Sequence, residues 1–133
     1  MAENDKVSLH FSRHELVCRC GCGLYIHRPQ LIDLAEKVRE ILKIPMYVNS
    51  GTRCVSHNAR VDGSPTSKHL QGLAMDFYCK TLTPTAIYNV ILSRYIKGYL
   101  PELGGMGIYK TFVHIDAFHA EDGHLRLWRG PGA

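Results

Sequence analysis

The sequence predicts an α+β fold, with a small antiparallel sheet and helices packed on one side of it. Apolar residues recur at helical spacing between residues 29 and 43, and they alternate with polar residues in two later segments, 73–79 and 112–116. Helices therefore come first, and strands follow around one further helix. A chain of 133 residues can bury roughly two thirds of its unfolded surface in one core. We therefore expect residues 1–133 to form a single domain.

Three helices are predicted from end signals and apolar spacing. Ser12 and Glu15 form a capping box that opens a short first helix. A second helix covers 29–43, and its inward face is formed by apolar residues three and four apart: Leu31, Leu34, Ala35, Val38 and Leu42. A third helix begins after Thr83 and ends before Gly98.

Strands are predicted where short apolar or alternating segments lie between turn residues. The segment 50–68 is rich in Ser, Gly, Thr and Asn, so we expect a long irregular loop, a kind of segment that is often functional. Gly104–Gly107 is expected to bend the chain into two closing strands. The predicted strands are 46–49, 73–79, the two strands next to Gly104–Gly107, and 124–128.

Composition excludes several classes of protein. The formal charge of +4 is carried by scattered basic residues, whereas nucleic-acid binding normally needs a concentrated basic surface. No apolar segment has the length of a membrane span. Met1–Val7 lacks the apolar core of a secretion signal, so we expect synthesis in the cytoplasm and later release or export. A monomer is expected, and the mild positive charge suits an anionic polymer such as a bacterial cell wall.

Two pairs of histidine and aspartate carry the chemistry. His69 stands seven residues before Asp76, and His114 stands two residues before Asp116. The alternation in 73–79 puts Asp76 on the face away from the apolar residues, and the period of two puts His114 and Asp116 on one face. Two imidazoles and a carboxylate are a usual ligand set for catalytic zinc. The remaining carboxylate, Asp116, is predicted to accept the proton of the attacking water.

Each of these groups also has a structural interpretation. His69 can be a surface loop residue, Asp76 an ion-pair partner of Arg53 or Arg60, and His114 a hydrogen-bonded core imidazole. Taken together they favour a metal site, because an inward-facing His-x-Asp pair is costly unless it is paired. Other polar residues are rival ligands, bases or cleft residues: His57, Tyr109, His119, Glu121, Asp122 and His124.

The five cysteines leave at least one thiol outside an intramolecular disulfide. Cys18, Cys20 and Cys22 alternate with Arg19 and Gly21, and a metal site with Cys54 as a further ligand is one interpretation. The spacing matches no zinc ribbon with two Cys-x-x-Cys pairs. The sequence therefore favours reduced thiols, with one or two buried as small apolar residues.

Four motifs together resemble the M15 zinc peptidases, which include D-alanyl-D-alanine carboxypeptidases and peptidoglycan endopeptidases. The motifs are Ser50-Gly-Thr-Arg53, His57-Asn58, Ser67-Lys-His-Leu-Gln-Gly-Leu-Ala-Met-Asp76 and Phe112-Val-His-Ile-Asp116. The cysteine cluster and the segment from Phe11 to Leu16 resemble the compact phage and bacterial members. Some relatives carry a Glu three residues before the third ligand, where this chain has Thr111. Others have a His-x-His pair, which leaves open whether His114 or Asp116 is the ligand.

The resemblance implies a hedgehog/D,D-peptidase-like fold and one zinc ion per chain, bound by His69, Asp76 and His114. It implies that Arg53 contacts a carboxylate or oxyanion, and Ser67 is predicted beside it as a substrate contact. The substrate would be a peptidoglycan stem or cross-link that contains D-amino acids. The role of base does not come from the resemblance, and Asp116 is assigned to it on geometry. The alternative is a non-catalytic wall- or protein-binding module with a structural zinc ion, because one fold serves several functions.

Overall fold

The computed structural model describes residues 5–133, and within them the chain forms four α-helices and a five-stranded sheet. Residues 1–4 lie outside the described part, and the expectation about Met1–Val7 stays a prediction. No described helix combines the length and apolar character needed to cross a bilayer. The elements are α1 (Arg13–Leu16), α2 (Pro29–Leu42), β1 (Tyr47–Ser50), α3 (Val55–Arg60), a 3-10 helix (Lys68–Gln71), β2 (Ala74–Tyr78), α4 (Pro84–Ile96), β3 (Gly105–Ile108), β4 (Val113–Asp116) and β5 (Arg126–Arg129).

Three helix termini are fixed by local features of the sequence. In α1 the carboxylate of Glu15 accepts a hydrogen bond of 3.2 Å from the backbone N–H of Ser12, which is half of the predicted capping box. Helix α2 ends at Leu42, and its C-cap, Lys43, adopts a left-handed conformation with φ of 60°. The hydroxyl of Thr83 accepts from the backbone N–H of Ala86 at 3.1 Å and caps α4.

The sheet has the strand order β1-β2-β4-β3-β5. The first three pairings are antiparallel, but β5 runs parallel to β3. The prediction of an antiparallel sheet is therefore wrong at this edge. Segment 117–125 crosses the end of β3, so that β5 lies beside β3 instead of β4. The α+β fold class is confirmed.

The two faces of the sheet differ in chemistry. One face packs with α2 and α4 into a single apolar core, to which the central strands contribute Met75, Phe77, Met106, Val113 and Ile115. The alternate positions of the same strands carry Asp76, His114 and Asp116, all of them buried. Strand alternation thus separates an apolar face, which stabilises the fold, from a polar face available for chemistry.

Two predicted segments differ from the structure. The loop 50–68 contains the helix α3, whose N-cap is Cys54, with a sulfur that accepts from the backbone N–H of His57 at 3.3 Å. Cysteine is not a usual N-cap residue, and the sequence indicated only a short helical turn at His57 and Asn58. Gly105 and Gly107 are not in a bend but inside strand β3. Their role becomes clear from the side chains on either side of that strand.

Candidate active site

His69 is held inside the molecule by the 3-10 helix that precedes β2. Its side chain is 2% exposed, and its Nδ1 donates to the carbonyl of Gly51 at 2.7 Å. This bond fixes the tautomer, so the lone pair of Nε2 points away from Gly51. The helix ends at Gly72, whose φ of 71° turns the chain into β2.

Asp76 lies at the centre of the polar face. Its Oδ1 is 3.1 Å from Nε2 of His69 and 2.9 Å from Nδ1 of His114. The register of β2 and β4 causes this convergence, because Asp76 and His114 are directly paired across the two strands. The side chains of all three residues are less than a tenth exposed.

The carboxylates and imidazoles of this cluster shift one another's pKa values. Burial alone disfavours the ionised carboxyl of Asp76, but hydrogen bonds and charge from His114 and His69 outweigh it and lower its pKa. Burial likewise disfavours the imidazolium of His114, but Asp116 and Asp76 outweigh it and raise the pKa of that imidazole. Such a concentration of perturbed groups in a cleft is typical of functional sites.

The three groups fit a zinc ion. One donor atom from each of His69, Asp76 and His114 lies within 4.8 Å of the others. Tetrahedral zinc with bonds of 2.0–2.2 Å to nitrogen and oxygen separates neighbouring ligand atoms by about 3.3 Å. The 2.9 and 3.1 Å separations around Asp76 are close to that value. Three ligands leave the fourth position open, as in catalytic rather than structural sites.

Arg53 lies beside Asp76 and is held on three sides. Its Nη2 donates to Oδ2 of Asp76 at 3.1 Å, its Nε to Oγ of Ser50 at 3.0 Å, and its Nη1 to Oδ1 of Asn58 at 3.1 Å. The ion pair between Arg53 and Asp76 that the sequence allowed is therefore present. Arg53 also lines the cleft, and a guanidinium has five N–H donors, so two remain for another group.

Asp116 contacts the far side of the His114 ring. Its Oδ2 is 2.9 Å from Nε2 of His114, and its Oδ1 accepts from Arg126 and, at 3.1 Å, from the backbone N–H of Phe118. A carboxylate on the outer nitrogen of a ligand histidine orients the ring and leaves the inner nitrogen free for a metal. The side chain is fully buried, and its predicted role as general base stays a prediction.

The contact between Asp116 and Arg126 passes over β3, which lies between β4 and β5. Gly105 pairs with Asp116 on one side and with Arg126 on the other. A Cβ at Gly105 would lie 2.6 Å from both the Asp116 carboxylate and the Arg126 guanidinium. Glycine is therefore required here because two side chains meet above its backbone.

Gly107 repeats this arrangement one step along the strand. It pairs with His114 and Trp128, whose rings lie 4.9 Å apart between centroids. The indole N–H of Trp128 donates to the hydroxyl of Tyr109 at 2.9 Å, and Tyr109 stacks on Phe112 at 4.5 Å. These three aromatic rings form one wall of the site.

The site opens into a cleft of about 530 Å³, a size typical of small-ligand pockets. The cleft is lined by all six predicted site residues: Arg53, Ser67, His69, Asp76, His114 and Asp116. The hydroxyl of Ser67 accepts from the backbone N–H of His69 at 3.3 Å, so it also caps the 3-10 helix. Arg126 and Trp128 were missed by the sequence-based prediction, although their spacing of two in a strand indicates one shared face.

The rival residues lie elsewhere, except for Tyr109. His119 is exposed and contacts the carbonyl of Glu102 at 3.1 Å. His124 is exposed beside Asp122, and Glu121 is exposed as well. His57 is not among the described residues that line the cleft. Tyr109 does line it, but its hydroxyl accepts from Trp128.

The family model described as Peptidase M15 matches residues 9–116, which is most of the chain and contains the six predicted site residues. Arg126 and Trp128 lie beyond the matched residues. No curated protein gives a significant match to the chain.

Proposed function

Because the chain belongs to the peptidase M15 family, we propose that it is a zinc peptidase that hydrolyses peptide bonds in peptidoglycan stems or cross-links. The observation that carries the proposal is the convergence of His69, Asp76 and His114 on one point of an open cleft. Two imidazoles and one carboxylate with a free fourth position form the ligand set of hydrolytic zinc enzymes. We assign these three residues as the ligands of one zinc ion.

Bound zinc would polarise a scissile carbonyl and lower the pKa of its water to about 7. The protein's part is to hold the ligands in place. The carbonyl of Gly51 fixes the His69 ring and the carboxylate of Asp116 fixes the His114 ring, so both rings present a lone pair to the same point. Burial of these groups excludes water from the ligand bonds.

We retain Asp116 as the proton acceptor of the reaction. The described carboxylates that line the cleft are Asp62, Asp76 and Asp116. Asp76 is assigned to the metal, and Asp62 is exposed on the turn after α3. Asp116 is buried next to a ligand, and its carboxylate pairs with Arg126.

Substrate recognition is assigned to the rim of the cleft. Arg53 keeps two N–H donors outside its hydrogen bonds to the described residues, and these suit a carboxylate or carbonyl oxygen of a peptide. Ser67 offers a hydroxyl on the same side. The wall of Tyr109, Phe112 and Trp128 gives the peptide an apolar surface. The net charge of +4 favours the anionic wall polymer, and we propose that one domain acts as a monomer there.

The proposal is tested by digestion of purified peptidoglycan with zinc-loaded protein, followed by mass spectrometry of the released fragments. His69→Ala should lose both the cleft zinc and fragment release. His119→Ala is a matched control, because His119 is exposed and outside the cleft. Wild-type protein that is folded and zinc-loaded but only binds peptidoglycan would instead support the non-catalytic module. The masses of the fragments identify the bond that is cleaved.

A further inference from the structure

Four cysteine side chains converge on the side of the molecule where the amino-terminal segment meets α3. Cys18, Cys20, Cys22 and Cys54 each offer a sulfur, and the four sulfurs all lie within 4.8 Å of one another. Three come from one short segment and the fourth from the N-cap of α3. We propose that these four thiolates bind a structural zinc ion, separate from the ion in the cleft.

The distances between the sulfurs match a tetrahedral site. Zinc–sulfur bonds of 2.3 Å separate neighbouring sulfurs by about 3.8 Å. The sulfurs of Cys18 and Cys20 are 3.5 Å apart, and those of Cys20 and Cys54 are 3.7 Å apart. A disulfide needs about 2.05 Å between its sulfurs, so these pairs are too widely spaced for one. All five cysteines of the described residues are free.

The backbone is arranged to present sulfurs to one point. Gly21 and Gly23 adopt left-handed conformations with φ of 88° and 82°, and the N–H of Cys18 donates to the carbonyl of Leu24 at 2.9 Å. The chain therefore turns tightly here, and the sulfurs of its three cysteines converge. Glycine is the residue that adopts these conformations without strain.

Backbone N–H groups also point at the sulfurs. The N–H of Cys54 donates to the sulfur of Cys18 at 3.4 Å, that of His57 to Cys54 at 3.3 Å, and that of Leu24 to Cys22 at 3.5 Å. Such bonds stabilise thiolates, which are the form that binds metal. Thiolates, rather than neutral thiols, are the acceptors that these donors favour.

The interpretation that the sequence favoured was a set of reduced thiols without metal. Burial as a small apolar residue describes Cys79, which is 6% exposed and lies outside the cluster, and Cys18, which is 2% exposed. It does not describe Cys22, which is exposed, or Cys20 and Cys54, which are partly exposed. Four close thiols of which one is exposed are open to oxidation, whereas zinc keeps such a group closed and redox-inert.

Four protein ligands leave no open position, so this zinc is structural. The position of this zinc ion shows which contact between segments it would stabilise. Segment 18–22 would be joined to Cys54, which directly follows Arg53, and the N–H of Thr52 donates to the carbonyl of Leu16 at 2.9 Å. A Cβ at Gly51 would lie 2.6 Å from that carbonyl, so the two segments are in close contact. The zinc would fix this contact behind the cleft.

Metal counting tests the proposal. Protein purified without chelator should contain about two zinc ions per chain, and Cys22→Ser should contain about one. His69→Ala should also contain about one, and the double variant almost none. Cys22 is exposed, so its replacement leaves the core intact. Cys79→Ala is the matched control, which removes a thiol but should keep about two ions.

Cobalt substitution distinguishes the two sites without reference to activity. Thiolate ligation gives a sulfur-to-cobalt charge-transfer absorption, which should disappear in Cys22→Ser and persist in His69→Ala. The proposal is overturned if folded wild-type protein binds about one zinc ion and Cys22→Ser binds the same amount. It is equally overturned if the four cysteines hold iron, or if they form disulfides in protein of full stability. Wild-type protein that binds zinc at the four cysteines but none in the cleft would contradict the proposed function and leave the proposed cysteine site unaffected.

Discussion

Replacement of Gly107 by alanine tests how the strand β3 shapes the site. The φ of Gly107 lies outside the left-handed region, so alanine fits the backbone. The new Cβ, however, would lie 2.3 Å from Nε1 and 2.4 Å from Cε2 of Trp128, well inside van der Waals contact. Trp128 is on the edge strand β5 and only partly buried, so we expect its ring to swing out towards solvent.

The cost of this movement follows from the contacts that are lost. The hydrogen bond to the Tyr109 hydroxyl contributes about 1 kcal/mol, and the contact with the His114 ring about 1 kcal/mol. Replacing glycine restricts the unfolded chain and returns roughly 0.5–1 kcal/mol. The free energy of unfolding should therefore fall by about 1 kcal/mol, which lowers the Tm by about 4 °C.

Fluorescence and urea unfolding measure the effect directly. Trp128 is the only tryptophan of the chain, so a red shift of the emission maximum in Gly107→Ala reports its exposure. In a Trp128→Ala background the same replacement meets no indole, and unfolding followed by circular dichroism should show no loss of stability. If Gly107→Ala has the emission maximum and the unfolding free energy of the wild type, the proposed packing of Trp128 over β3 is wrong.

Two further predictions concern single carboxylates. Asp116→Asn should weaken zinc binding by about tenfold to a hundredfold, measured by competition with a chelator. At saturating zinc, kcat should also fall by about a hundredfold or more, and a kcat that is retained there would exclude Asp116 as the proton acceptor. Glu36→Gln should lower the free energy of unfolding by about 1 kcal/mol at pH 7, because the Glu36 carboxylate accepts from the backbone N–H of His10 at 2.7 Å and from the Ser8 hydroxyl. Burial raises the pKa of Glu36, but these bonds outweigh it and hold the pKa below 4.5. The contribution is thus present above pH 4.5 and is lost as the pH falls through the folded pKa, so the two proteins should converge in stability in acid. A difference that stays constant across that range would contradict this explanation.

The elements that could be predicted from the sequence are those determined by local patterns. The apolar spacing of α2 predicted its range to within one residue at its end. The period of two in 73–79 and 112–116 separated Asp76 and His114 from the apolar residues between them, and the structure has the same alternation. Local periodicity determines which face a side chain occupies, so the candidate ligands could be named before any contact was known.

The parts that were missed depend on contacts between distant segments. Arg126 reaches Asp116 only because β5 pairs in parallel with β3, and no local pattern predicts that pairing. Glycine is depleted in strands, so Gly105 and Gly107 predicted a bend. Their actual role depends on side chains from both neighbouring strands. Cys54 meets Cys18–Cys22 through tertiary packing alone, and the spacing in the sequence therefore favoured unliganded thiols.

The most direct test of the central claim combines metal content with turnover in one series of variants. Peptidoglycan digestion is measured for zinc-loaded wild type, His69→Ala, His114→Ala and the control His119→Ala, with circular dichroism to confirm folding. We predict that wild type and His119→Ala release peptide fragments, whereas the two ligand variants lose the cleft zinc and release none. Fragment release by a folded His69→Ala protein that lacks this zinc would contradict the account.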